Sequence, residues 1–156
     1  MSSYYCLDTS VLMKLLVPEE GHLQARAVFD RIRGTGSLIA LPSVAWVEVG
    51  NALRKKVRQG LIEPDECQAQ WAAFRHLPMA RFVETSDIAE RAWDIAAMFS
   101  LNTLYDAAFL AVAEYVTDQT REVCEFWTAD QDLVRTVGGQ LDYVRSLASL
   151  LSSSPS

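Results

Sequence analysis

Histidine is nearly missing from this chain: His22 and His76 are the only two in 156 residues. They lie far apart, so a serine–histidine triad or a histidine metal cluster has no material, and any metal site must rely on hard oxygen ligands. Cysteine is hardly richer. Cys6, Cys67 and Cys124 are odd in number and widely spaced with no C-x-x-C, which speaks against a disulfide framework or a thiolate zinc site and leaves buried free thiols. Long apolar runs are also lacking, since the longest stretch, LYDAAFLAVAEYV, is broken by acids before it could span a bilayer. MSSYY has neither a basic region nor an apolar core of signal-peptide type, so no membrane association and a cytoplasmic location are expected. Positive charge is in deficit: 14 Lys and Arg face 20 Asp and Glu, a net charge of -6. That balance argues against a broad cationic face coating DNA, while leaving room for a local basic patch.

What is present is ordinary globular material, 50% apolar and 22% charged, long enough for one domain with a real core. We expect a single domain over 1–150 and a frayed tail over 151–156. YYCL reads as a strand buried on both faces, and Thr9 and Ser10 are good caps for the apolar helix after it. Residues 10–33 read as helical with a break at Pro18. SLIALP is a second strand, SVAWVEVGNALRKKVRQG a long helix ending at Gly60, and PDECQAQWAAFRHL a helix folding back on it. ARFVE is a third strand, SDIAERAWDIAAMFSL a helix capped by Ser86, TLYDAAFLAVAEYV another helix, CEFWTAD a fourth strand and QLDYV a candidate fifth. Strands separated by helices, with no Asn-Gly hairpin signal, predict an α/β fold whose parallel sheet is covered on both faces. Trp46, Trp71, Trp93 and Phe74 fall on helices at spacings that suit the core.

Four acids have no cation at helical spacing: Asp8 after strand one, Glu48 on the helix after strand two, Asp106 in the first turn of a late helix, and Asp130 after strand four. Each alone has a capping or structural explanation. Thr103-x-x-Asp106 reads as a capping box, and Asp8 and Asp130 stand where helices begin. Other acids differ: Asp30 has Arg26 and Arg33 within a turn, and Asp87 has Arg91 four residues on. In a parallel sheet the four unpaired acids share one edge, the one where ligands bind. Carboxylates about 5 Å apart repel by roughly 3 kcal/mol at an effective dielectric near 20, so something positive should sit among them. Mg²⁺ or Mn²⁺ is the natural candidate, and such ions serve phosphoryl chemistry.

LDTSVLMKLL, LPSVAWVEVGNAL, YDAAFLAVAE and FWTADQDL, in that order and spacing, resemble the PIN-domain ribonucleases, and the likeness spans nearly the whole chain. Within that family the chain is most similar to the small toxins of VapBC toxin–antitoxin pairs. The resemblance implies a three-layer α/β/α sandwich with a central parallel sheet of four to five strands. It implies Asp8 and Asp106 as principal Mg²⁺ (or Mn²⁺) ligands, Glu48 and Asp130 as further acids of a catalytic site, Ser10 and Thr128 as hydrogen-bonding support, and Asp132 as a substitute for Asp130. It also implies hydrolysis of an RNA phosphodiester to a 5′-phosphate and a 3′-hydroxyl, with Glu48 or another acid activating water. The implied partners are RNA, a VapB-like antitoxin packing across the helices, and a second copy forming a homodimer. Lys14, Arg54 and Lys55, with Lys56 and Arg58, are candidates for guiding RNA phosphates, against the alternative of a solvated helix face. Two other readings stand beside this one: a PIN-like module that binds RNA or protein without cleaving, and a Mg-dependent phosphatase, which wants Asp-x-Asp where this chain has Ser10.

Overall fold

The computed structural model describes residues 2–153. Among the described residues five strands form one parallel sheet in the order β3-β2-β1-β4-β5: β1 (Tyr4–Leu7), β2 (Leu38–Pro42), β3 (Ala80–Val83), β4 (Cys124–Thr128) and β5 (Val144–Ser146). Seven α-helices among the same residues connect and cover them: α1 (Thr9–Leu16), α2 (His22–Gly34), α3 (Ala45–Arg58), α4 (Pro64–Arg75), α5 (Ser86–Phe99), α6 (Leu104–Thr120) and α7 (Gln131–Val137). β1 is central, with Cys6 opposite Phe126 of β4 and Tyr5 opposite Ile39 of β2. Right-handed crossovers put α1 to α4 on one face and α5 to α7 on the other, because the chain first winds outward to β3 and then returns past β1 to β4. The parallel, three-layer α/β expectation holds, with five strands.

Tyr5, Cys6, Leu7, Ile39, Leu41 and Phe126 are wholly or almost wholly buried, as a central strand covered by helices on both faces requires. Ala107, Phe109, Leu110, Ala111, Val112 and Ala113 are also buried, so α6 is apolar nearly all round because it lies between the sheet and α5. Among the described residues no single helix is long and apolar enough to cross a membrane. Cys6, Cys67 and Cys124 are buried free thiols.

The structure shifts several details. The cap of α1 is Asp8, not Thr9 or Ser10, and the cap of α5 is Thr85, whose hydroxyl accepts from Ile88 N at 3.3 Å, with Ser86 already inside the helix. β5 starts at Val144, later than QLDYV suggests, because residues 137–144 are taken up by turns closing on Val137 and Leu141. A 3-10 helix, Leu147–Ser153, runs into the stretch expected to fray, whose last three residues, 154–156, lie outside the described residues. Trp71 and Phe74 pack into the core, but Trp46 and Trp93 are 48% and 66% exposed. The buried stripe of α3 is Ala45, Val49 and Leu53, and that of α5 is Ile88, Ala92 and Ile95, so each exposed tryptophan falls one residue off its stripe, about 100° around the helix.

Candidate active site at the carboxyl edge of the sheet

β1 and β4 are neighbours whose following helices leave to opposite faces, which makes the gap beyond their carboxyl ends the switch point of the sheet. Asp8 stands there, buried, its N–H extending the ladder to the Trp127 carbonyl at 3.1 Å. Its Oδ1 accepts from Val11 N at 3.1 Å and from the Ser10 hydroxyl at 2.5 Å, and its Oδ2 accepts from the Thr128 hydroxyl at 2.5 Å. Both hydroxyls are themselves aimed by the loop after β4: Ser10 Oγ accepts from Ala129 N at 2.9 Å, and Thr128 Oγ1 from Asp130 N at 3.0 Å. The β4–α7 loop thus orients the Asp8 carboxylate, and Oδ2 keeps an acceptor site for a ligand.

Burial raises the Asp8 carboxyl to about 6; the three hydrogen bonds pull it down without prevailing, and Asp106 pushes it further up. Glu48, in the first turn of α3, is raised to about 7 by burial and then by Asp106 and Asp8. Asp106, in the first turn of α6, is raised by burial and by Asp130. Each carboxylate therefore feels the next, and none of the four takes part in an ion pair among the described residues. Asp30 and Asp87 do pair with the arginines expected for them.

Capping accounts for part of the set. Asp8 and Asp130 are real N-caps, Asp130 accepting from Asp132 N at 3.0 Å and Leu133 N at 3.2 Å. The capping box proposed for Asp106 is absent, since α6 has no side-chain cap bond at Thr103. Asp106 instead faces a cleft of about 270 Å³ shared with Asp130, Asp132, Asn102, Thr103 and Thr136. Asn102 and Thr103 also line this cleft, and the sequence did not mark them for it, Thr103 being read there as the cap of a capping box. Asp132 reaches the same cleft, but its exposed carboxylate pairs with Arg135, so it makes a poor substitute for Asp130.

A divalent cation suits this donor set. The carboxylates are hard oxygen donors with no protein cation beside them, burial and then neighbouring negative charge raise the proton affinities of Asp8, Glu48 and Asp106, and Glu48 Oε2 is buried without a partner. Among the described residues no three acidic, histidine or cysteine side chains are gathered tightly enough to hold an ion, so the set as it stands is open. The basic candidates divide. Lys14 is not free: its Nζ donates to the Glu20 carbonyl at 2.8 Å and lies 3.7 Å from Glu19, and its stem packs where Gly21 leaves room. Lys56 pairs with Glu19 at 2.9 Å. Arg54 and Lys55 are exposed, and Arg54 lines a groove between α3 and α4.

An acid-lined crevice at the switch point of a parallel sheet defines the class: an α/β protein whose candidate site lies at the carboxyl ends of its strands. The chain belongs to the PIN-domain family, whose model matches residues 5–138. A comparison with curated proteins returns no match. Among solved structures the chain resembles VapC20 of Mycobacterium tuberculosis, a sarcin-ricin loop cleaving toxin, with a TM-score of 0.61 and 17% identity over 85% of this chain and 95% of that one. It resembles equally a chain of a toxin–antitoxin complex from Klebsiella pneumoniae, with a TM-score of 0.59 and 18% identity over 92% and 97% of the two chains. VapBC2 of Rickettsia felis, bound to a DNA fragment from its promoter, gives a TM-score of 0.60 at 11% identity over 92% and 98%. At these identities the likeness concerns the fold.

Proposed function

We propose that this chain is a Mg²⁺- or Mn²⁺-dependent endoribonuclease and the toxin of a toxin–antitoxin pair. The observation that carries the reading is that Asp8, Glu48 and Asp106 feel one another's charge at one sheet edge, and Asp106 that of Asp130, with no ion pair to any of the four among the described residues. Membership of the PIN family and the likeness to toxins, one of them cutting the sarcin-ricin loop, support it. Asp8 and Asp106 would be the principal ligands of the ion, with Glu48 and Asp130 completing the set. When bound, the ion neutralises the acids and withdraws charge from the scissile phosphate, letting an RNA backbone approach. Glu48, whose Oε2 is buried without a partner, would take the proton of an attacking water. The water oxygen bonds to phosphorus and the P–O3′ bond breaks, leaving a 5′-phosphate and a 3′-hydroxyl.

The groove of about 370 Å³ between α3 and α4, lined by Trp46, Val47, Cys67 and Trp71 with Arg54 at its rim, suits an apolar antitoxin segment. Exposed Trp93 of α5 and Leu104 and Tyr105 of α6 suit a second copy. The three reduced thiols fit a cytoplasmic protein. One observation favours a module that binds without cleaving: the acids are not yet gathered. Incubation with a folded RNA pool decides between the two. The nuclease reading expects cuts with Mg²⁺, none with EDTA, and none with Asp8→Asn or Asp106→Asn; equal cutting by the variants would mean a contaminating enzyme.

A further inference from the structure

Three hydroxyls cluster where β1 and β4 end, and two are committed. Ser10 donates to Asp8 and accepts from Ala129 N, and Thr128 donates to Asp8 and accepts from Asp130 N. The third, on Thr9 at the start of α1, is buried with no partner. Among the described residues it shares that condition with one other side-chain atom, Glu48 Oε2, on the first turn of α3, which packs against α1. The two meet electrostatically, since the Thr9 hydroxyl eases the charge on Glu48, yet they stop short of hydrogen-bond geometry. A buried donor and a buried acceptor left unpaired each cost stability, so facing orphans are a bond waiting for a small closure.

We propose that Thr9 is the positioning residue for Glu48: its hydroxyl donates to Oε2 as α1 and α3 draw together around the closing acid set, holding the carboxylate toward Asp8 and Asp106. The division of labour is then complete, with Ser10 and Thr128 aiming Asp8 and Thr9 aiming Glu48. The proposal rests on the cation-binding part of the reading above. A purely structural Thr9 would be a β-branched spacer in the first turn of α1, and the two roles make opposite demands: a spacer needs volume, a positioner needs a donor.

The test compares wild type, Thr9→Val, which keeps the volume and loses the donor, and Thr9→Ser, which keeps the donor and loses a methyl. Readouts are RNA cleavage at saturating Mg²⁺, Mn²⁺ affinity by calorimetry with MnCl₂ alone, and thermal unfolding without metal. Thr9→Val is expected to lower kcat about tenfold with little change in KM, as loss of one charge-assisted hydrogen bond implies. It should also weaken Mn²⁺ at least about threefold while unfolding no more easily than wild type, since it removes an orphaned polar atom. Thr9→Ser should stay within about threefold of wild type on both readouts. The reverse order, Val like wild type and Ser impaired, overturns the proposal, as does equal Mn²⁺ behaviour in all three proteins. Should wild type cut no RNA while Thr9→Val alone loses Mn²⁺ affinity, the nuclease reading fails and the positioning role stands.

Discussion

Two groups of acids in this molecule are treated oppositely. Glu19 sits in the turn between α1 and α2 and is met on both oxygens, by Lys56 Nζ of α3 at 2.9 Å and Lys14 Nζ of α1 at 3.7 Å, tying three segments together. At the carboxyl edge of the sheet, Asp8, Glu48 and Asp106 repel one another and pair with no cation, and the hydroxyl and backbone N–H bonds there go to Asp8. An acid that serves the fold is neutralised by the fold. Acids left charged and crowded cost stability, which a domain with only some 5–15 kcal/mol to spare tolerates where something outside the chain completes the site.

The largest break in this comparison comes from removing one charge on each side. Asp8→Asn or Asp106→Asn should lower RNA cleavage by about a thousandfold or more without lowering the melting temperature by more than a few degrees. Glu19→Gln should do the reverse, leaving cleavage within about threefold. A partly exposed pair of this kind contributes up to about 1 kcal/mol, so the melting temperature should fall by roughly 2–4 °C. Activity assays paired with thermal melts on the same preparations read both.

Next in size is pH. The Asp8 carboxyl is raised from 3.8 to about 6 and that of Glu48 from 4.5 to about 7, so between about pH 4 and 7 the folded, metal-free protein holds more protons than the unfolded chain. Their contribution is then fully present below about pH 4 and is lost as pH rises through the folded values, roughly 3 kcal/mol from Asp8 alone. Melting curves of Asp8→Asn and wild type without metal should therefore diverge upward through this window, the variant gaining relative to wild type as pH rises. A smaller effect concerns the exposed cations: Arg54→Ala and Lys55→Ala should each reduce the salt slope of RNA binding by about one, while Lys14→Ala, already committed to Glu19 and Glu20, should act through stability.

Much of this was legible in the residues. Apolar runs ending in an acid marked β1 and β4, and the want of a cation at helical spacing distinguished Asp8, Glu48, Asp106 and Asp130 from Asp30 and Asp87 before any geometry was available. What escaped was tertiary. Lys14 is captured because a left-handed turn at Gly21 (φ 90°) leaves space for its stem, which no local pattern announces. Asp8 turned out to be a cap whose buried carboxyl also feels Asp106, where the residues posed capping and clustering as alternatives. The exposed Trp46 and Trp93 were readable in principle: each misses the i, i+4 stripe of its own helix by one position, a phase that counting apolar residues overlooks.

The most direct measurement is thermal unfolding at about pH 7 across a MnCl₂ titration, for wild type, Asp106→Asn and Glu19→Gln. If the four carboxylates form one cation-requiring site, wild type and Glu19→Gln should gain a saturable stabilisation of roughly 5–10 °C near a hundredfold excess over the dissociation constant, and Asp106→Asn should gain little or none. A wild type indifferent to Mn²⁺, or an Asp106→Asn variant stabilised as strongly as wild type, would contradict the account.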